Sequence, residues 1–321
     1  MKRTLPLLIF VLLIAIAAKA QYRHQEVGLQ TDNDSYLAQG SDRYYTNGIF
    51  IYYRRALPFD EDGKIANRVL GFEAGQKMFN PQSGSINVNG VADPGYIDRP
   101  FAGYLYLGAN YNVLYKKQSN FKVGLQLGVV GPRAYGRQAQ NLIHKVFGFY
   151  PPDGWQYQIK NALVINASGE YNKMLARGGN WVDVSFTSYA NLGTGFIGGG
   201  LGPMLRLGRF NKLFNSVITQ STVIDRPGVK ANDQEFFFYY KPLVNLQVKD
   251  ITVEGKGAVY PESMQVAGKL NKVMISNQLG GAFNSGDRWT VDASVIFHTK
   301  DVKEMVRSHQ WGSVTVMYHF D

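Results

Sequence analysis

The sequence predicts an all-β fold: an antiparallel transmembrane β-barrel of about 12 strands, with a short helix in an extracellular loop. Apolar residues alternate at period two along many segments of the chain, which is the pattern of strands with two unlike faces. The chain holds 20 Tyr, 19 Phe and 35 Gly, a mixture that favours strands and tight turns over helices. It has no Cys, so the hydrogen-bond ladder and side-chain packing must stabilise it without disulfides.

The N-terminus has the pattern of a cleavable secretory signal peptide. Lys2 and Arg3 precede an apolar run that ends in the small-x-small sequence Ala-Lys-Ala. The run is about 14 residues long, shorter than the ~20 residues that a membrane-spanning helix needs. We therefore predict that residues 1–20 are a signal peptide and that residues 21–321 form one barrel domain. A retained N-terminal anchor is the alternative.

The chain is basic, and this charge narrows the classes of partner. The formal net charge is +10, and about +7 remains once the three basic residues of the signal are removed. An exported basic protein can bind nucleic acid, an anionic membrane surface or a phosphorylated glycolipid. The sequence contains no nucleic-acid-binding module, so we predict a lipid partner and no nucleic acid. A generally basic solvated surface is the alternative.

Two consecutive segments show the alternation most clearly. Residues 102–115 read AGYLYLGANYNVLY, in which Leu105 and Leu107 begin one apolar face while Tyr, Gly and Asn occupy the other. Residues 121–129, FKVGLQLGV, repeat the pattern after a short turn. Strands of this length are long for a soluble sheet but suit a tilted strand that crosses a bilayer, which needs ~9–11 residues. A soluble β-sandwich or a lipocalin-like barrel is the alternative.

Further segments with this alternation bring the total to about 12 strands. They lie near 23–32, 46–56, 69–78, 159–173, 179–191, 195–208, 234–247, 271–283, 287–299 and 309–320. The last is rich in aromatic residues and resembles the closing strand of bacterial outer-membrane barrels.

An even strand number places both termini at one end of the barrel, which in outer-membrane barrels is the periplasmic end. The predicted outward connections are 33–45, 79–101, 131–158, 192–194, 248–270 and 300–308. Segment 209–232 does not fit this scheme, because it is long and yet falls on the periplasmic side. It holds either an unrecognised hairpin or an unusual turn.

One outward connection contains a predicted helix with a histidine. In RQAQNLIHKVFG, Gln140 and His144 stand four residues apart and so share a helix face. Four apolar residues are expected to dock the helix against the barrel: Leu142, Ile143, Val146 and Phe147. A histidine can activate water near neutral pH, and an amide one turn away can orient that water or bind a carbonyl. The alternative is a hydrogen-bonded surface histidine.

The first outward connection is rich in side-chain oxygens of the kind that a hard cation such as calcium prefers. They belong to Asp32, Asn33, Asp34, Ser35, Ser41, Asp42, Thr46 and Asn47. Their spacing does not match the EF-hand loop, so a metal site would use separated positions. The alternative is an ordinary turn rich in Asp and Asn between two strands.

Several strings, taken together, resemble one protein family. TDNDSY and DRYYTNG occur in the first hairpin, GQKMFNP and DRPFAGYLYLG around the second loop, and GPRAYGRQAQNLIHKVFG with GWQYQ in the third. With ANLGTGFIGGGLGPMLRLGRFN and the terminal HQWGSVTVMYHF, they resemble the lipid A 3′-O-deacylases of Gram-negative outer membranes. The similarity runs in order from about residue 26 to 321.

The resemblance implies a twelve-stranded barrel with its active site between the barrel wall and a loop helix, facing the cell exterior. It implies calcium-dependent hydrolysis of the 3′-linked acyl ester of lipid A, similar to phospholipase A2 chemistry. His144 would be the general base, and Gln140 would support the water or the carbonyl. Asn33 and Asp34 would bind or position the calcium ion.

The resemblance also assigns Thr46, which would supply a hydroxyl, and Lys77, which would contact a lipid A phosphate or the reacting carbonyl. One departure stands out, because the family site uses a carboxylate shortly after the histidine. The corresponding stretch here reads FGFYPPDG, in which Asp153 is the nearest acid.

A phospholipase, an inactive homologue and a non-enzymatic channel or structural barrel are the alternative functions. We expect a monomer in the outer membrane of a Gram-negative bacterium.

Overall fold

The computed structural model describes residues 23–37, 42–60, 62–88, 91–179, 181–225, 233–255 and 264–321. They form one closed antiparallel barrel in which the first strand pairs with the last. Its strands are β1 (Gln25–Asn33), β2 (Tyr45–Ala56), β3 (Ile65–Phe79), β4 (Ala102–Tyr115), β5 (Ser119–Val130), β6 (Ala162–Gly178), β7 (Val182–Gly193), β8 (Phe196–Arg209), β9 (Glu235–Asp250), β10 (Val273–Asn284), β11 (Trp289–His298) and β12 (His309–Phe320). The predicted fold and each predicted strand are confirmed. The predicted signal peptide lies outside the described residues.

The barrel wall is apolar outside and polar inside. On β4, Leu105 and Leu107 are exposed on the outer face, whereas Tyr104 and Tyr106 are buried in the lumen. Buried polar residues also line the lumen, and Asn112, farther along β4, is one of them. A water-soluble sandwich or barrel would place its apolar residues inside, so this polarity is that of a barrel surrounded by lipid.

The strand connections differ between the two ends of the barrel. We call the end that carries connections 34–44, 80–101, 131–161, 194–195, 251–272 and 299–308 the loop end. The opposite end, the terminal end, carries the first and last strand termini and the connections 57–64, 116–118, 179–181, 210–234 and 285–288. The predicted grouping of the long loops at one end, opposite the termini, is confirmed. It follows from the even number of antiparallel strands.

The long connection at the terminal end folds into the lumen. Within the described residues of this connection, 210–225 and 233–234, there is no hairpin but two short 3-10 turns, Leu213–Asn215 and Val217–Thr219. Asn112 Nδ2 donates to the carbonyl of Thr219 (2.9 Å), and Asn67 Nδ2 donates to the carbonyl of Val223 (2.8 Å). We call residues 210–225 the lumen segment. Strand side chains satisfy its backbone, which explains how so long a turn is accommodated there.

The helix predicted around His144 is present as α1 (Gly136–Phe147), but its orientation corrects the prediction. Its buried residues are Gly136, Gln140 and His144, whereas Leu142 and Val146 are exposed. The expected docking of the apolar side against the barrel is therefore wrong. The outer wall at the rim of a membrane barrel borders lipid, so a helix lying on it turns polar residues inward and apolar residues outward. Among the described residues, no helix is long and apolar enough to cross a membrane.

Candidate active site

α1 lies against the outer face of the wall at the loop end. Gly103 on β4 shares the outward face with Leu105, and a Cβ added to Gly103 would come within 3.1 Å of the backbone nitrogen of Gly136. A Cβ on Gly136 would in turn meet the ring of Trp155 at 2.7 Å. The two glycines therefore let the first turn of α1 approach β4 closely. Gln76 Nε2 on β3 donates to the carbonyl of Ala134 (2.6 Å), which fixes the segment just before the helix.

The imidazole of His144 is buried between α1 and the first loop, and both its nitrogens have partners. Nδ1 contacts the carbonyl oxygen of Tyr150 in a short hydrogen bond. Nε2 lies 2.8 Å from Oδ2 of Asp42, which belongs to the first outward loop. A carbonyl oxygen can only accept, so Nδ1 is the donor in that contact, and Nε2 is the nitrogen that faces the Asp42 carboxylate.

Asp42 occupies the position beside the histidine that the sequence left without a carboxylate. Tyr150 also reaches it, because the Tyr150 hydroxyl donates to Oδ2 of Asp42 (2.8 Å). Partial burial and the Asp42 carboxylate raise the pKa of Tyr150, which keeps its phenol protonated as a donor. Asp153 has other partners: its backbone nitrogen donates to the carbonyl of Gly84 and its carboxylate accepts from Gln156 (3.5 Å).

Gln140 lies one turn before His144 and is fully buried. Its Oε1 accepts a hydrogen bond from Nε1 of Trp155 (2.6 Å), which fixes the amide so that its nitrogen remains the donor. Within the described part of the chain, Gln140 Nε2 has no hydrogen-bond acceptor. A buried donor without an acceptor is costly, and it is the kind of group that a substrate carbonyl can satisfy.

Asp42 also belongs to a cluster with a second carboxylate, Asp34, and the hydroxyl of Thr46. The hydroxyl of Thr46 lies within hydrogen-bond distance of Asp34 Oδ1 (3.3 Å) and Asp42 Oδ1 (3.2 Å). Asp34 Oδ2 also accepts a hydrogen bond from the backbone nitrogen of Arg43 (2.7 Å). Burial, together with the nearby charge of Asp42, raises the pKa of Asp34 to about 7. Hydrogen-bond contacts therefore connect four side chains into one polar group: Asp34, Thr46, Asp42 and His144.

The remaining predicted site residues are less directly connected to it. Asn33 Oδ1 accepts from the backbone nitrogen of Ser35 (2.6 Å), the geometry of an Asx turn. Lys77 follows Gln76 on β3 and so faces the lumen, where its ammonium lies 5.8 Å from the ring centre of Phe50. The alternation of side chains along a strand separates Lys77 from the outer face that α1 covers. Ser41 lies outside the described residues.

Three residues of the site did not emerge from sequence reasoning as site residues. Asp42 appeared only as one oxygen donor of the first loop, and Tyr150 and Trp155 were not singled out. Asp42 carried a sequence signal through its position in the oxygen-rich loop, and Trp155 through the string GWQYQ. The distances that join these residues to His144 and Gln140 arise between separate loops.

The oxygen donors of this group match the ligands of a hard cation. Among the described residues, no set of three or more His, Cys, Asp or Glu side chains is arranged to hold a metal ion. The donors here are instead two carboxylates, a hydroxyl and, on the adjoining strand end, the amide of Asn33. Calcium uses carboxylate, hydroxyl, amide and backbone oxygens together, so the donor set fits it without a third carboxylate.

The family model described as outer membrane protein LpxR matches residues 5–320 of the sequence. The chain belongs to this family, the lipid A 3′-O-deacylases. Family membership makes it an outer-membrane protein of the Gram-negative type and places it among lipid A deacylases. The resemblance predicted from the sequence strings is therefore confirmed. Among curated proteins, no sequence matches.

A solved structure of this family agrees with the fold. LpxR from Salmonella typhimurium superposes with a TM-score of 0.73 at 22% sequence identity, covering 92% of this chain and 100% of that one. The translocator domain of the autotransporter NalP from Neisseria meningitidis gives 0.43 at 10% identity, covering 92% and 89%. The β domain of a Bordetella autotransporter gives 0.44 at 11%, covering 94% and 100%. At 22% identity the likeness to the Salmonella structure concerns the fold alone.

Proposed function

We propose that this protein hydrolyses the 3′-linked acyl ester of lipid A in the outer leaflet of the outer membrane, with the loop end facing the cell exterior. One observation carries the proposal: His144 is buried at the outer wall, with Nδ1 fixed by the Tyr150 carbonyl and Nε2 directed at Asp42. A histidine held in one tautomer and backed by a carboxylate can act as a general base near neutral pH.

In the proposed reaction, a water molecule enters between His144 Nε2 and Asp42 in place of their direct contact. Nε2 takes a proton from this water as the water oxygen attacks the ester carbonyl carbon. Asp42 stabilises the imidazolium that forms, and the Tyr150 hydroxyl holds the Asp42 carboxylate in place. The Gln140 amide nitrogen, which has no acceptor among the described residues, donates a hydrogen bond to the ester carbonyl oxygen. When the carbon–oxygen bond breaks, the sugar oxygen leaves with the proton from His144, and the products are a fatty acid and an alcohol.

Calcium is the proposed cofactor, and Asp34, Asn33 and Thr46 are the residues that would hold it. A bound calcium ion would polarise the scissile carbonyl and stabilise the oxyanion. The support is electrostatic: burial of Asp34, together with the nearby charge of Asp42, raises its pKa to about 7, and a bound cation would offset both effects. Lys77 faces the lumen, so in this proposal it would act on the lipid phosphate only from the rim.

Mass spectrometry of lipid A tests the proposed activity. Cells that express the protein should yield lipid A lacking the 3′-linked acyl chain, and cells that express His144→Ala should yield intact lipid A. Unchanged lipid A with the wild-type protein would refute the proposal. If purified protein instead releases fatty acid from glycerophospholipid vesicles, the enzyme is a phospholipase with the same histidine chemistry.

A further inference from the structure

α1 carries three distinct stripes, and only one of them faces the barrel. The buried stripe is polar, with Gln140 and His144. A second stripe is exposed and basic: Arg137, Asn141 and Lys145 recur every four residues and so lie on one line along the helix. The third stripe is exposed and apolar.

The apolar stripe is as exposed as the lipid-facing wall of the barrel. Leu142, Val146 and Phe147 are 63%, 67% and 62% exposed, and Leu107 on the wall is 67% exposed. Phe149, just past the helix, is also exposed and stacks on Phe147 with ring centres 6.0 Å apart. A contiguous apolar surface of this kind is unfavourable in water and marks a contact with another apolar phase.

This apolar stripe continues the lipid-facing surface of the wall. The helix lies over Gly103, and the next outward residues of the same strand, Leu105 and Leu107, are exposed to lipid. Membrane barrels carry aromatic girdles at both interfaces. At the terminal end Phe121 and Phe236 stand exposed on strands, and at the loop end α1 and the turn after it add the exposed rings of Phe147 and Phe149.

We propose that α1 is immersed in the membrane leaflet at the loop end, with its apolar stripe among the acyl chains of that leaflet's lipids. The basic stripe then lies toward the phosphate groups, and the polar stripe with His144 faces the wall. An amphipathic helix with basic and apolar stripes side by side has the composition of an interfacial membrane helix. Immersion sets the depth of His144 at the level where lipid esters lie. The immersion does not depend on the proposed hydrolase activity.

Site-directed spin labelling measures this immersion directly. The chain has no cysteine, so each variant carries one nitroxide label. Val146→Cys and Leu142→Cys report on the apolar stripe, Leu107→Cys is the lipid-exposed control, and Lys303→Cys in an exposed loop is the aqueous control. After reconstitution into phospholipid vesicles, collisions with oxygen, which concentrates in lipid, are compared with collisions with a water-soluble nickel complex.

Immersion predicts that labels at 146 and 142 behave like the label at 107, with frequent oxygen collisions and few nickel collisions. Lys145→Cys, one position away on the basic stripe, should show more nickel collisions than Val146→Cys. Nickel accessibility at 146 equal to that at 303 would overturn the proposal, and so would protection from both reagents, which indicates a protein partner. Because no turnover is measured, an inactive protein with an immersed helix would refute only the proposed function.

Discussion

Oδ2 of Asp42 lies 2.8 Å from Nε2 of His144, although the two residues belong to different loops. This contact supplies the carboxylate that the stretch after the histidine lacks. The same oxygen accepts a hydrogen bond from the hydroxyl of Tyr150, whose backbone carbonyl contacts the other nitrogen of the imidazole. One tyrosine therefore positions both partners of the pair.

Replacing His144 tests the general base. We expect His144→Gln to lower kcat on the order of 10²- to 10⁴-fold, because general-base catalysis contributes about that factor. Release of fatty acid from purified lipid A measures the rate. His298→Gln is the matched control, since His298 also lies at the loop end but is separated from this group. Equal loss in both variants would point to a folding defect instead of a catalytic one.

Replacing Asp42 separates its role from that of Asp153. Asp42→Asn should lower kcat at least about tenfold with little change in KM, because the amide cannot stabilise the imidazolium. Asp153→Asn should keep nearly full activity, because its carboxylate accepts only from Gln156 among the described contacts. Steady-state kinetics on both variants decide between the two acids. An effect of Asp153→Asn as large as that of Asp42→Asn would contradict this assignment.

Calcium binding can be measured without turnover. Isothermal titration of metal-free protein with Ca²⁺ should show one site, and Asp34→Asn should weaken it by at least about tenfold because a charged ligand is lost. Asp60→Asn, at the terminal end, should bind as the wild type does. Chelation should abolish hydrolysis in parallel. Full activity in excess chelator would exclude calcium as the group that stabilises the oxyanion.

A buried ion pair ties two loops together at the loop end. Arg99 Nε lies 3.2 Å from Asp301 Oδ2; the Arg99 side chain is buried, and the Asp301 side chain is 14% exposed. Burial alone would raise the pKa of Asp301, but the Arg99 guanidinium overcomes this and holds the pKa below its ordinary value of 3.8. Breaking a buried pair of this kind costs about 3–5 kcal/mol. Asp301→Asn should therefore loosen the loops at neutral pH.

The pH dependence of this effect follows from the lowered pKa. A carboxylate with a lowered pKa in the folded protein contributes stability above its ordinary pKa and loses it as the pH falls through the folded value. The difference between wild type and Asp301→Asn should therefore be full at pH 7 and close only below about pH 4. Limited proteolysis of the loops across this range measures it. A difference that vanishes already near pH 6 would contradict the pairing.

Because the lumen segment lies inside the barrel, we expect that the barrel does not conduct ions. Asn67 and Asn112 hold its backbone across the lumen, and Thr222 donates to the buried carboxylate of Glu26 (2.6 Å). In planar bilayers the wild type should show no steady open state. A variant in which a four-residue turn replaces residues 211–233 should show a steady open state. Stable conductance from the wild type would revive the channel alternative.

The periodicity of the sequence determined the barrel and its strand count. Period two identified every strand within a few residues, because a lipid-facing wall demands apolar residues outside and small or polar residues inside. Parity then placed the long loops opposite the termini without any three-dimensional information. The strings that resemble the family named six site residues: His144, Gln140, Asn33, Asp34, Thr46 and Lys77. The structure connects His144 and Thr46 to Asp42 and Gln140 to Trp155. Lys77 instead faces the lumen.

Tertiary structure alone decided which carboxylate meets His144 and which way α1 turns. Asp42 reaches Nε2 from another loop, and such proximity depends on how the loops fold over the rim, which no local pattern encodes. The orientation of α1 could not follow from its amphipathicity either, because the same stripe would face inward on a barrel in water and faces outward on a barrel in lipid. The lumen segment likewise depends on Asn67 and Asn112, side chains on distant strands whose amides satisfy its backbone.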